Sequence, residues 1–443
     1  MCFGIEFSLF QDFFSFLLTI FPAGIIIILL GQVDNFQFVF NSNIERVFYM
    51  KYTGVTSRGI ITPIFKQGDD LVNMICDSLI NAANGEGFQI KNGDILGMTE
   101  AVVARTQGNY ASTDDIATDI KNKFGGEEVG VIFPILSRNR FAILLRAIAM
   151  GAKKVYVMLS YPSDEVGNAF LTYDQIDEAG VDPFKDNFTE EEFRKVFGRD
   201  TVHTFTGVDY IDYYKSLGDN IEIVFSNNPR DILKYTNNVL NCDIHTRKRT
   251  KRILANAGAK VYSMDDILTE SINGSGYNEQ YGILGSNKAT EDKVKLFPRD
   301  CQKYVDGVQA EIEKRTGKKI EVLVYGDGGF KDPVGGIWEL ADPVVSPAFT
   351  SGLAGTPNEI KIKYLADNEF GNLQGEELSA ALREKIKTKE SNLVGNMAAE
   401  GTTPRQLTDL IGSLCDLTSG SGDKGTPVVY IQGYFSNFAS DAE

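Results

Sequence analysis

The segment Lys319-Ile-Glu-Val-Leu-Val-Tyr-Gly-Asp327 runs from a short apolar stretch directly into a glycine-rich loop. The apolar part predicts a buried strand, and the loop continues as Gly328-Gly-Phe-Lys-Asp332. An acid just past a strand end, between glycines, is exposed, and backbone N–H groups can approach it. The segment therefore predicts an α/β fold with a metal–phosphate site at one end of a strand.

A second glycine-rich loop, Thr418-Ser-Gly-Ser-Gly-Asp-Lys-Gly-Thr-Pro427, precedes the predicted strand Val428-Val-Tyr-Ile-Gln432. Two such loops in one domain suggest a nucleotide that is held with a divalent cation. The candidate nucleotide contacts here are Gly420, Gly422 and Lys424, although a flexible linker has a similar composition. The spacing does not match GxxxxGK[ST], so this loop is not a P-loop.

The bulk composition narrows the class of protein. The chain has 443 residues, enough for two or three domains, and its net charge of −16 argues against a general nucleic-acid partner. The five cysteines form no CxxC pair, which argues against a disulfide framework or a zinc site and favours a reducing cytoplasm. With only two histidines, a metal would have oxygen ligands, which favours Mg²⁺ or Mn²⁺.

The N-terminal residues 1–49 form an apolar extension. Residues 13–30 are almost wholly apolar, which is close to the length of a membrane-spanning helix. The run lacks a basic flank and is interrupted by Pro22-Ala-Gly24. Three interpretations stay open: a membrane anchor, an uncleaved signal, or upstream codons translated ahead of a start at Met50, which we favour. A membrane partner is expected only if the extension is an anchor.

The remainder divides into two sequence patterns. Residues 50–125 and 275–443 combine strands with amphipathic helices, and they predict one discontinuous α+β domain. Residues 126–274 repeat strand–helix units and include a long helical stretch that ends at Ala257. This pattern predicts an inserted βαβ, Rossmann-like subdomain, so the predicted fold class is α/β.

Asp327 is the first candidate for a metal ligand, and Asp332 lies in the same segment. The alternative for Asp327 is a type I′ turn, because Asp-Gly is a strong hairpin signal. Clustered carboxylates repel one another, so they either face solvent or hold a cation. Gly328 is a candidate for close backbone approach to the bound nucleotide.

Ser286, Asn287 and Lys288 form a further candidate cluster. Ser286 and Asn287 can orient a substrate or a metal-bound water, and Lys288 can contact a phosphate. The alternative is a helix N-cap at Ser286 or Thr290. The basic run from Arg247 to Arg252 is interpreted as a solvated helix face.

In this order, the motifs resemble the coenzyme F-420:L-glutamate ligase (γ-glutamyl ligase) family. The similar segments are residues 61–71, 92–108, 282–287, 317–327, 365–367 and 418–433. The resemblance implies a γ-glutamyl ligase-like domain over residues 50–125 and 275–443. It also implies GTP- or ATP-dependent amide formation between L-glutamate and a carboxylate of a coenzyme F-420 precursor or a folate, through an acyl phosphate.

The resemblance also implies roles for particular residues. Asp327 would hold the metal, with Asp332 or Asp367 as helpers. Ser286, Asn287 and Lys288 would act in catalysis, and Thr99, Arg105, Gly328 and the loop with Gly420, Gly422 and Lys424 would hold the nucleotide. The sequence departs from the family at Leu284, where the family has a metal-binding Asp, and at Gly328, where it has Thr.

Two other functions stay open. Leu284 and the apolar N-terminus favour a catalytically inactive, membrane-tethered nucleotide- or metabolite-binding protein. A nucleotide- or sugar-phosphate-using enzyme centred on residues 126–274 is the other alternative, although that segment lacks GxGxxG. Small-molecule partners are expected in every case, and a homodimer is compatible with each of them.

Overall fold

The computed structural model describes residues 53–199, 201–204, 206–326, 330–331, 338–339, 346–393, 395–399, 406–419 and 422–440. They have a mixed α/β fold with several sheets, which confirms the predicted class in its coarse form. They all fall within the compact unit from Lys51 to Glu443. In the described part of the chain, no helix combines the length and apolarity that a bilayer span requires. Residues 1–49 lie outside it, so their interpretation stays open.

The strands are β1 (Thr56–Ile60), β2 (Ile95–Thr99), β3 (Tyr110–Ser112), β4 (Glu128–Ile132), β5 (Lys154–Leu159), β6 (Phe188–Thr189), β7 (Ile221–Phe225), β8 (Asn238–Asn241), β9 (Lys260–Ser263), β10 (Asn287–Lys288), β11 (Lys293–Lys295), β12 (Glu321–Tyr325), β13 (Phe330–Lys331), β14 (Trp338–Glu339), β15 (Ala348–Phe349) and β16 (Val428–Gln432). The α-helices are α1 (Leu71–Glu86), α2 (Glu100–Gln107), α3 (Thr113–Phe124), α4 (Phe141–Gly151), α5 (Tyr173–Ala179), α6 (Glu190–Phe197), α7 (Tyr210–Lys215), α8 (Arg247–Asn256), α9 (Cys301–Thr316), α10 (Ile362–Asp367), α11 (Gly375–Lys387) and α12 (Leu407–Ser419).

A five-stranded sheet has the order β1-β16-β2-β12-β15. Strands β2 and β12 are parallel, and the other neighbours are antiparallel. Alternate residues of the central strands belong to two apolar clusters, one containing residues of α1 and α9 and the other residues of α12. Because helices cover both faces of this sheet, successive residues of its central strands are apolar, which explains the continuous apolar runs in the sequence.

A six-stranded sheet has the order β6-β7-β5-β4-β8-β9. Strands β7, β5, β4, β8 and β9 are parallel, and only β6 is antiparallel, at the edge. All six strands come from residues 188–263 and 128–159, between the segments that form the five-stranded sheet. The identity of residues 126–274 as a separate inserted subdomain stays a prediction. A small three-stranded sheet has the order β10-β11-β3, and residues 287–295 supply two of its strands.

The predicted long helical stretch ending at Ala257 was wrong in its first part. A 3₁₀ helix over Pro229–Lys234 and the strand β8 precede the ten-residue helix α8. Val239 and Leu240 are fully buried in β8, between β4 and β9. Asparagines on both sides of this apolar pair compete with helical backbone bonding, which explains why a short strand forms there.

Candidate functional site

Four strand ends of the five-stranded sheet meet at one edge, which we call the ligase edge after the family that the sequence motifs resemble. Parallel pairing places Tyr325, the last residue of β12, opposite Thr99, the last residue of β2. Antiparallel pairing places the start of β16 beside the ends of β1 and β2. The backbone N–H of Thr99 donates to the carbonyl of Pro427 over 3.0 Å. The ends of β2 and β12 and the glycine-rich loop before β16 therefore lie together.

The glycine-rich loop is tied to its surroundings at both ends. The hydroxyls of Ser57 and Thr418 are 2.7 Å apart, and the Thr62 N–H donates to the carbonyl of Gly425 over 3.2 Å. Lys424 is exposed at the end of a 3₁₀ turn that begins at Gly422. Gly420 lies outside the described residues. These bonds are those of an anchored loop rather than of a free linker.

Glu100 is a buried acid at the ligase edge that the sequence analysis did not select. Its side chain is 6% exposed, and the Thr99 hydroxyl donates to its Oε2 over 2.8 Å. The ammonium of Lys295, itself 17% exposed, lies 3.6 Å from Glu100 Oε1. A carboxylate is costly to bury unless it is paired, so Glu100 and Lys295 depend on each other.

The small sheet brings the second predicted cluster to the same edge. Asn287 is the register partner of Lys295, and register partners in an antiparallel pair share a face. Asn287 therefore neighbours the lysine whose ammonium contacts Glu100. Lys288, on the opposite face, pairs with Glu291 over 2.6 Å, and this pair lowers the pKa of Glu291.

Ser286 and Arg105 occupy different surroundings. Ser286 is buried, and its Oγ has no hydrogen-bond partner among the described residues. Arg105 is exposed on α2, and its Nε donates to the carbonyl of Phe65 over 2.7 Å. This bond ties the residues after β1 to the helix that follows Thr99, so Arg105 stays close to the ligase edge.

Of the three predicted metal ligands, the structure describes Asp367 alone. Asp327 and Asp332 lie outside the described residues, as does Gly328, although β12 ends two residues before Asp327. Asp367 is exposed at the end of α10, in an open depression of about 410 Å³ that Lys361 and Lys363 also line. Within the described ranges, no three His, Cys, Asp or Glu side chains converge as a metal site. All three assignments stay predictions.

The composition of the ligase edge suits an oxygen-ligated divalent cation. The predicted ligands Asp327 and Asp332, which follow β12 in sequence, would offer the carboxylate oxygens that Mg²⁺ and Mn²⁺ prefer. Sulfur donors do not suit these ions, and burial raises the pKa of the Cys415 thiol behind the sheet, so it stays protonated. The residues present therefore fit the predicted class of metal.

A family model described as F420-0:Gamma-glutamyl ligase matches residues 59–433 of the chain. The chain belongs to the F420-0:gamma-glutamyl ligase family. The match confirms the family expected from the motifs. It begins within β1 and ends one residue after β16, so it covers both large sheets. Among curated proteins, none matches the sequence.

Of the three predicted clusters, the glycine-rich loop reaches the ligase edge through described contacts, and Asn287 is the member of the second cluster that does so. The residues that the sequence analysis missed there are Glu100 and Lys295. One signal was available for Glu100, because it directly follows the buried strand β2 as Asp327 closely follows β12. Lys295 gave no such signal, since only the pairing of β11 with β10 brings it beside Asn287.

Proposed function

We propose that the chain is a nucleotide- and divalent-metal-dependent ligase that joins L-glutamate to a carboxylate of a cofactor-like acceptor. The acceptor class is a coenzyme F-420 precursor or a folate, and the nucleotide is GTP or ATP. Membership of the γ-glutamyl ligase family supports the reaction type. The observation that carries the proposal is the meeting of the β2 end, the β12 end and the glycine-rich loop at Thr99.

The proposed reaction has two steps. The acceptor carboxylate attacks the γ-phosphorus of the nucleotide, and the nucleoside diphosphate leaves with the bridging electrons, which gives an acyl phosphate. The amine of L-glutamate then attacks the acyl carbon, and inorganic phosphate leaves with the electrons of the broken C–O bond. The attacking nitrogen loses one proton, and the product is an amide. A bound Mg²⁺ or Mn²⁺ would supply charge neutralisation of the phosphate oxygens.

The chain's own residues would bind and orient the reactants. The loop with Gly422 and Lys424, together with Arg105, would hold the nucleotide phosphates, and Asp327 with Asp332 would hold the metal. The Lys295 ammonium would bind an anionic oxygen of the acceptor, with Asn287 beside it. Glu100 would hold that ammonium in place, because the two side chains are 3.6 Å apart.

Incubation of the full chain with Mn²⁺, GTP or ATP, L-glutamate and either a deazaflavin or a folate acceptor tests the proposal. We expect phosphate release that requires both glutamate and acceptor, with a product heavier by one glutamyl unit in mass spectrometry. Nucleotide binding without turnover for both acceptors would contradict ligation and would favour the inactive binding protein.

A further inference from the structure

A small cavity lies between the loop after β4 and the segment before β10. Its volume is about 20 Å³, which accommodates one water-sized group. Its walls are mostly buried apolar side chains, and Arg140 and Ser286 are the polar residues that line it. Arg140 and Gly285 are only partly buried, so they mark the mouth of the cavity.

The Ser286 hydroxyl gives the cavity an unmet hydrogen-bonding requirement. Ser286 is 3% exposed, and its Oγ finds no partner in the described part of the chain. Buried polar groups are normally hydrogen-bonded, and the exceptions often mark a place where a ligand or ordered water binds. The hydroxyl can donate one hydrogen bond and accept others, so it suits an anionic oxygen.

The first turn of α4 gives the same cavity a positive electrostatic potential. Phe141 and Leu144 of this 11-residue helix line the cavity, and its N-cap residue, Arg140, makes no capping bond through its side chain within the described structure. Helix N-termini carry a partial positive charge that favours anions, although the N–H groups of Arg140 and Ala142 here already donate to Ser137. The guanidinium of Arg140 adds a full charge at the mouth.

The position of the cavity in the six-stranded sheet is a second, independent argument. The strand order of this sheet reverses between β4 and β8, and the cavity is lined by Ile135 after β4 and Ile244 after β8. In open α/β sheets, ligands bind outside the carboxyl ends of the strands at such a reversal. The backbone N–H of Lys288 donates to the carbonyl of Asn139, which fixes the Ser286 segment against the α4 loop.

We propose that this cavity binds one oxyanion group, a carboxylate or a phosphate. The Ser286 hydroxyl donates to the oxygen that enters the cavity, and the Arg140 guanidinium binds the remaining oxygens at the mouth. This site goes beyond the proposed ligase edge, because none of the residues that line it belongs to the five-stranded sheet. L-Glutamate and a phosphate-bearing molecule are the two sources of such a group.

Calorimetric titration of the full chain with L-glutamate, and separately with inorganic phosphate, tests this site. We expect saturable binding of at least one of them. Ser286→Ala should raise its Kd about tenfold, and Arg140→Met should raise it tenfold or more, because each removes a hydrogen bond to a charged group. Arg146→Met is the matched control on the same helix, since Arg146 donates to the Glu291 carbonyl and does not line the cavity. The Kd of the anion for Arg146→Met should equal that for the wild type.

The outcomes separate the site from the proposed reaction. Binding of glutamate alone identifies a carboxylate site, and binding of phosphate identifies a phosphate site. An absence of millimolar binding for both, an equal Kd for the wild type and Ser286→Ala, or a high-resolution structure with the anion that binds in solution but only a water at Ser286 would overturn the proposal. No nucleotide or acceptor is present, so the result does not depend on ligation.

Discussion

The two large sheets differ in how the acids at their strand ends are used. In the six-stranded sheet, Asp164 accepts bonds from the N–H groups of Leu136 and Val166 and from the backbone and side chain of Asn168. Glu165 likewise accepts from the backbone N–H groups of Ile244 and His245. At the ligase edge, the partners of Glu100 are instead two side chains, the Thr99 hydroxyl and the Lys295 ammonium.

This difference weighs against chemistry centred on the acids of the six-stranded sheet. Its strand order is typical of nucleotide-binding sheets, yet its strand-end carboxylates already hold its own loops together. Asp243 follows the same rule, because it accepts from the backbone and hydroxyl of Thr246 and from the hydroxyl of Thr250. Strand order alone therefore does not identify a catalytic centre, and the use of the carboxylates is the more informative feature.

The largest expected effect tests the ligase edge with two ion pairs of similar exposure, one of 3.6 Å at Lys295 and one of 2.8 Å at Lys123. Lys295 and Glu100 are 17% and 6% exposed, and Lys123 and Asp119 on α3 are 19% and 6% exposed. Either Lys→Met substitution removes the cation beside a buried acid and leaves it one neutral donor, the Thr99 hydroxyl or the Leu268 N–H, so both should lower the free energy of unfolding. Only Lys295→Met should also lower kcat/KM, by about a hundredfold, because it removes a charge from the reacting groups.

Glutamyl transfer assayed per folded molecule separates the two variants, with folded fractions taken from urea denaturation. Equal loss of activity in Lys295→Met and Lys123→Met would show that the pair at the ligase edge is only structural. Full activity in Lys295→Met would remove Lys295 from the proposed mechanism altogether.

The second prediction tests the structural role of Asp164, the buried acid that follows β5 of the six-stranded sheet. Burial raises the pKa of Asp164 to about 6, against the opposing effect of its N–H donors. The folded protein therefore binds a proton there as pH falls through about 6, whereas the unfolded chain does not until near the ordinary value of 3.8. Relative to Asp164→Asn, the wild type should gain about 1 kcal/mol of stability between pH 7 and pH 5.

The pH dependence is read as a difference between urea denaturation curves of the two proteins. Asp164→Asn should also be less stable at every pH, by about 3 kcal/mol, because an amide cannot accept from all of these donors. Asp182→Asn is the control of opposite sign: Lys185 lowers the pKa of Asp182, so its contribution is lost as pH falls. A flat difference curve for Asp164→Asn would contradict the raised pKa.

The sequence predicted the coarse α/β class because the central strands of both large sheets are short, apolar and buried. β16 has the predicted bounds, Val428 to Gln432. β8 could not be predicted, because two apolar residues among asparagines resemble a loop until neighbouring strands bury them. The Glu100–Lys295 pair could not be predicted for a similar reason, because 195 residues separate its members in sequence. The pairing of β11 with β3 brings Lys295 beside the segment that follows Glu100 and α2.

The smallest expected effect concerns Ser286, where a binding function and stability should oppose each other. Ser286→Ala removes a buried hydroxyl without a partner among the described residues, so the free energy of unfolding should rise by about 1 kcal/mol. Ser137→Ala in the neighbouring loop should lower it, because the Ser137 Oγ accepts from the Arg140 N–H over 3.2 Å. Urea denaturation without added anions compares the two. A loss of stability in Ser286→Ala would mean that the hydroxyl already has a partner in the folded chain, whereas a gain is the result expected of a residue retained for a ligand at a cost in stability.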